Sequence, residues 1–68
     1  MSPTPRQIGR RLKALREAAR LSQATVSAKA HISREYLARL EAGQHDPTLG
    51  TLQRLAQALK VPLLRLLD

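Results

Sequence analysis

Arg34, Glu35 and Arg39 fall within six residues and are the side chains of this sequence best suited to selective polar recognition. A guanidinium can donate two parallel hydrogen bonds to O6 and N7 of guanine. A carboxylate can accept one from N4 of cytosine, whereas beside a phosphate it would be repelled. On a helix, positions 34, 35, 38 and 39 lie opposite Leu37 and Leu40, so they share an outward face. Ala38 is small enough to allow close approach or to touch a thymine methyl. Tyr36 can donate its hydroxyl to a phosphate or pack as a half-buried ring. Glu35 and Arg39 are also spaced i, i+4, but an exposed pair of that kind contributes only about 0.3–0.5 kcal/mol.

The elements that must present these groups are legible from capping residues and apolar spacing. Thr4, Pro5 and Gln7 form a capping box with proline in the first turn, opening a helix over about 6–20. Its apolar stripe is Ile8, Leu12, Leu15 and Ala19, at helical spacing. Arg6, Arg10, Lys13 and Arg20 fall mainly off that stripe. Ser22 caps a second helix over about 23–30, with Val26 and Ala30 inward. After a short turn at His31-Ile32, Ser33 caps a third helix over about 34–42, closed by a left-handed Gly43. Thr48 caps a fourth helix carrying Leu49, Leu52, Leu55, Ala56 and Leu59, and Lys60-Val61 ends it. Pro62 suits the start of a last short helix with Leu63, Leu64, Leu66 and Leu67. No strand alternation or internal repeat is present. The expected architecture is all-α: residues 1–5 form an N-terminal arm and residues 6–68 one compact five-helix domain.

Composition narrows the function. The 68 residues carry a formal net charge of +7 and no cysteine. Residues 1–39 hold nine Lys or Arg against Glu17 and Glu35, a balance of +7, while residues 40–68 balance to zero. Positive charge gathered on one part of a chain is the footprint of a polyanion binder. His31 and His45 lack the spacing of a zinc site, so no metal is expected. No paired-carboxylate cleft, glycine-rich phosphate loop or triad is visible, and neither an enzyme nor a cofactor is expected. No segment approaches the ~18 apolar residues of a membrane span, and the N-terminus lacks the apolar run of a signal peptide, so a cytoplasmic protein is expected.

Two capped helices joined by a turn of only a few residues must cross steeply, as in a helix-turn-helix. The first such helix lies across a DNA backbone and the second offers its N-terminal residues to the major groove. Ile8-Gly9-Arg10-Arg11-Leu12-Lys13-Ala14-Leu15-Arg16 and Leu21-Ser22-Gln23-Ala24 resemble the opening of the phage Cro and repressor family, also called the XRE family. Ile32 to Gly43 resembles its recognition helix with the following Glu-x-Gly. Pro47-Thr48-Leu49 and Leu52-x-x-Leu55-Ala56-x-x-Leu59-x-Val61 resemble its fourth helix, and the last leucines its fifth. The resemblance spans about residues 6–67. Two positions depart from it: Ser27 stands where the family often has alanine, and His31 where the turn usually has glycine. Histidine is enriched at positive φ among non-glycine residues, so a left-handed His31 is expected.

The resemblance implies a lambda-repressor-like fold and a bacterial or phage-encoded, nucleoid-associated DNA-binding transcription regulator, most simply a repressor. It places Arg34, Glu35 and Arg39 at base-reading positions and Gln23 on a phosphate, where the helix N-terminus would help. Ala38 joins the base-facing set. Tyr36, Arg10, Lys13 and Gln44 are candidate backbone contacts. Arg16 and Glu41 have family counterparts that form an ion pair, which implies a structural pair here. A symmetric homodimer on a palindromic double-stranded operator is expected, with Leu63, Leu66 and Leu67 as candidate dimer residues. The competing reading is a protein-interaction module on the same fold, such as an antitoxin or a scaffold. The chain can also be read as one domain of a longer protein.

Overall fold

The computed structural model describes residues 2–68; of the expected N-terminal arm, Met1 lies outside the described residues. Five helices follow in order: α1 (Pro5–Ala18), α2 (Gln23–Ala30), α3 (Arg34–Glu41), α4 (Leu49–Leu59) and α5 (Leu64–Leu67). No strand occurs among the described residues.

Each of the first four helices starts on the hydroxyl read from the sequence. Thr4, Ser22, Ser33 and Thr48 all have extended backbones and accept the N–H of Gln7, Thr25, Tyr36 and Thr51 respectively. Each hydroxyl thus satisfies one of the donors that a helix start leaves open. At Thr4 the Gln7 side chain also accepts the Thr4 N–H at 2.8 Å, completing the capping box.

The same four helices also end alike. After α1, the N–H of Leu21 reaches Arg16 O and that of Arg20 reaches Glu17 O. Ile32 and Ser27, Gln44 and Arg39, and Val61 and Ala56 repeat the longer bond after α2, α3 and α4. Each closure needs one left-handed residue. Only Gly43 (φ 76°) supplies it without a side chain; Arg20, His31 and Lys60 take φ values of 59°, 60° and 57°. The expected left-handed His31 is therefore found. Such a conformation costs an L-residue roughly 1–2 kcal/mol, part of which glycine offsets by its freer unfolded chain. His31→Gly should therefore stabilise the domain by about 0.5–1 kcal/mol, raising the thermal midpoint by a few degrees; a calorimetric midpoint at or below that of the parent would refute strain at the turn.

After the left-handed residue of α1, α2 and α4 comes an apolar one, Leu21, Ile32 or Val61, half-buried against the core. After α3 comes the exposed Gln44. Three helix ends are thus pinned inward, and the fourth turns its polar residue to solvent.

The core joins Ile8 and Leu12 of α1, Val26 and Ala30 of α2, Leu37 and Leu40 of α3, Leu52, Leu55, Ala56, Ala58 and Leu59 of α4, and Leu66 of α5. α2 packs chiefly on α4, α1 on α3, and α5 closes over α1 and α4. A Cβ at Gly9 would meet the carbonyl oxygens of Leu40 and Glu41, so its absence lets α1 cross directly over the end of α3. Buried Ser27 donates to Ala24 O at 3.0 Å, which satisfies its hydroxyl at this departure from the family pattern.

Several expectations are corrected. Helix α1 begins at Pro5 and ends at Ala18, so Ala19 is an exposed cap rather than part of the buried stripe. α3 stops at Glu41, one residue early. Leu49, in the first turn of α4, is 57% exposed and does not join the core. The last helix starts at Leu64, two residues past Pro62, and has no side-chain cap. Its single turn sends Leu63, Leu66 and Leu67 inward and Leu64 outward. Leu66 is fully buried, which removes it from the candidate dimer residues, whereas Leu64 is 65% exposed.

Candidate nucleic-acid interface

The turn from α2 to α3 spans only His31, Ile32 and Ser33. Leu37 and Leu40 fix the inner face of α3, and the opposite face is set by the same helical period. Arg34, Glu35 and Arg39 are exposed there, with Ala38 half-buried between them. Among the described residues none of these three charged side chains has a hydrogen-bond or ion-pair partner; the i, i+4 pairing of Glu35 with Arg39 does not form. Glu35 occupies the first turn and Arg39 the last, each favourably placed in the helix dipole.

At the end of α3 lies a polar junction of three elements. Arg16 of α1 donates from Nε to Glu41 Oε2 at 2.7 Å and from Nη2 to Glu41 Oε1 at 3.0 Å. Its Nη1 donates to Leu21 O at 2.9 Å. The two side chains are 12% and 4% exposed, so the ion pair implied by the resemblance is present and largely dry. Hydrogen bonding to Glu41 holds the Arg16 guanidinium above its usual pKa, against the opposing effect of burial. Stability drawn from that raised value is present below the ordinary arginine range and fades only above it. Arg16 therefore contributes no pH dependence near neutrality.

The same carboxylate reaches the first residue of α2. Gln23 Nε2 donates to Glu41 Oε1 at 3.0 Å, leaving its second amide proton free to turn outward. The backbone N–H groups of Gln23 and Ala24 have no acceptor, as expected of a helix start. An anion placed there would meet backbone donors, one amide proton and the positive end of the α2 dipole.

The remaining candidates surround this surface less tightly. Arg10 and Lys13 are exposed on α1, and Gln44 is exposed just past α3. Tyr36 is half-buried and packs against the core, with its ring 5.7 Å from that of His45 and tilted by 58°. The sequence patterns single out neither His45 nor Arg54 as a contact residue. Arg54 Nε of α4 donates to Ala30 O at 3.0 Å and so ties off the end of α2 beside the strained His31. No local pattern signals a contact between residues 24 apart in sequence.

Two short capped helices with a three-residue turn and an outward polar face on the second form a helix-turn-helix, and residues 12–66 match the HTH_3 family of that description. The chain belongs to the HTH_3 family. The immunity repressor protein of Bacillus phage phi105 is 41% identical over 54 residues. That stretch covers 79% of this chain but 38% of the phage protein, so the chain spans about two-fifths of that relative. An HTH-type transcriptional regulator of Sinorhizobium fredii is 43% identical over 54 residues, covering 79% of this chain and 70% of that one. Among solved structures, the restriction-modification controller protein C.AhdI from Aeromonas hydrophila superposes with a TM-score of 0.89 at 34% identity, over 91% of this chain and 94% of that one. The five-helix, lambda-repressor-like reading of the HTH_3 domain is therefore correct. Among the described residues no helix is long and apolar enough to cross a membrane.

Proposed function

We propose that this HTH_3 domain is a sequence-specific DNA-binding transcription regulator that represses by occupying an operator overlapping a promoter. The observation that carries this reading is the unengaged set Arg34, Glu35 and Arg39 on the outer face of α3, beside the open N-terminus of α2. With α3 in the major groove, both arginines would donate to guanine, Glu35 would accept from cytosine, and Ala38 would allow close approach. Gln23, Tyr36, Arg10, Lys13 and Gln44 would hold the flanking phosphates. Relatives that include a phage immunity repressor and a transcriptional regulator support regulation as the outcome of binding.

One α3 helix covers only a few base pairs, so operator recognition needs a symmetric homodimer with its two reading helices about 34 Å apart. Exposed Leu64, flanked by half-buried Leu63 and Leu67, is the apolar surface on which a second copy would pack. A shallow groove lined by Gln53, Ala56, Gln57, Val61 and Leu63 adjoins it. The regulator acts in the cytoplasm on the nucleoid. Among the described residues, no feature favours the antitoxin or scaffold alternative and no catalytic constellation supports an enzyme.

The test is selection from a random-sequence duplex pool, followed by sequencing, at two salt concentrations. A recovered palindromic site, with affinity falling steeply as salt rises, is the expected result. Weak salt-sensitive binding with no enriched sequence would overturn specific readout and leave a polyanion-binding domain.

A further inference from the structure

His45 lies outside every assigned contact, yet the chain brings it back over the recognition helix. The closure after α3 uses Gly43 in the left-handed region and bonds from Gly43 N–H to Leu40 O and from Gln44 N–H to Arg39 O. A Cβ at Gly43 would approach the Cγ of Arg6 at 2.9 Å, so the turn is also pressed against the start of α1. The exposed His45 leaves this fixed turn with its ring beside that of Tyr36, the residue following Glu35 on α3. Tyr36 is itself held by packing against the core. A loop imidazole is thereby placed at the edge of the face that carries Arg34, Glu35 and Arg39.

We propose that His45 is a protonation-dependent ligand for a DNA phosphate, steadied by the ring of Tyr36, so that binding of a duplex takes up a proton at this side chain. The inference rests on the reading of α3 as the DNA-facing helix. Imidazolium offers two N–H donors, and an aromatic ring beside a cation stabilises it. The ring of Tyr36 on α3 lies beside it, and Asp46 is next in the loop. Histidine is the side chain whose ordinary charge change falls between pH 5 and 8. A phosphate oxygen within hydrogen-bond distance favours the charged form. Linkage then requires tighter binding as the pH falls.

The experiment measures dissociation constants by fluorescence anisotropy at pH 5.5, 6.5 and 8.0 and constant ionic strength. It uses the whole chain, once on the selected operator and once on a duplex of unrelated sequence. The parent is compared with His45→Gln and with His31→Gln, the only other histidine. Binding by the parent and by His31→Gln is expected to tighten about sevenfold from pH 8.0 to 5.5, the part of a tenfold linkage effect that this window captures for an ordinary histidine. His45→Gln is expected to lose that gain on both duplexes. Proton NMR of the His45 ring should show its titration midpoint rising when either duplex is added. Duplex binding by His45→Gln with the parent's pH dependence would overturn the proposal alone. If specificity fails but the unrelated duplex still shows the His45-dependent gain, the phosphate contact stands without the operator reading. No binding to either duplex at any pH would overturn both.

Discussion

Glu41→Ala is expected to destabilise the domain by about 3–5 kcal/mol, the range for removing one member of a buried ion pair. The mechanism is specific to this junction. Its carboxylate is 4% exposed and accepts two bonds from Arg16 and one from Gln23. Truncation strands a guanidinium that is itself largely dry and empties space under the crossing of α1 and α3. A domain of this size has only about 3–10 kcal/mol of stability, so the variant should be marginal or unfolded at 25 °C. Urea titration followed by far-ultraviolet circular dichroism measures the loss; a change below about 1 kcal/mol would show that the pair is not an uncompensated-charge anchor. Replacing both partners with apolar residues of similar size, Arg16→Met with Glu41→Leu, should restore most of the stability. It should not restore DNA affinity, because Gln23 would lose the carboxylate that orients its amide.

That separation shows which parts of the molecule a linear reading can reach. Hydroxyl caps act across three residues, so Thr4, Ser22, Ser33 and Thr48 identify four helix starts from sequence alone. The outward placement of Arg34, Glu35 and Arg39 follows equally from a 3.6-residue period set by Leu37 and Leu40. Helix ends are harder, because the usual glycine is absent from three of four. Arg20, His31 and Lys60 adopt the left-handed conformation, held there by the inward pull of Leu21, Ile32 and Val61. At α5 and the residue before it, four leucines in five residues carry no directional information of their own. Only the positions of α1 and α4 select Leu66 for the core and leave Leu64 in solvent. The contacts of Gln23 with Glu41, Arg54 with Ala30 and Tyr36 with His45 join residues well separated in the chain. They exist only once tertiary packing has brought their helices or turns together, and no spacing rule announces them.

Arg39→Ala is expected to weaken operator binding by about 1–3 kcal/mol, roughly 5- to 150-fold, and to relax one base position in each half-site. Folding should be nearly unaffected, since Arg39 is exposed and its side chain makes no hydrogen bond or ion pair among the described residues. Arg34→Ala should behave alike at a different base pair, because Arg34 stands five residues earlier, in the first turn of α3. In the proposed reading Lys13 faces the DNA backbone rather than a base, and Lys13→Ala removes that charge. It should lower affinity evenly across operator and unrelated duplexes and reduce the salt slope by about one. Glu35→Ala should act in the opposite sense on unrelated duplexes, tightening them by removing a carboxylate that phosphate repels, while losing its preferred cytosine. Competition binding against single-base operator variants at two salt concentrations distinguishes these patterns. If Arg39→Ala and Arg34→Ala weakened every duplex equally and left the base preferences intact, both arginines would be phosphate contacts. Sequence reading would then have to come from DNA deformation, not from the face of α3.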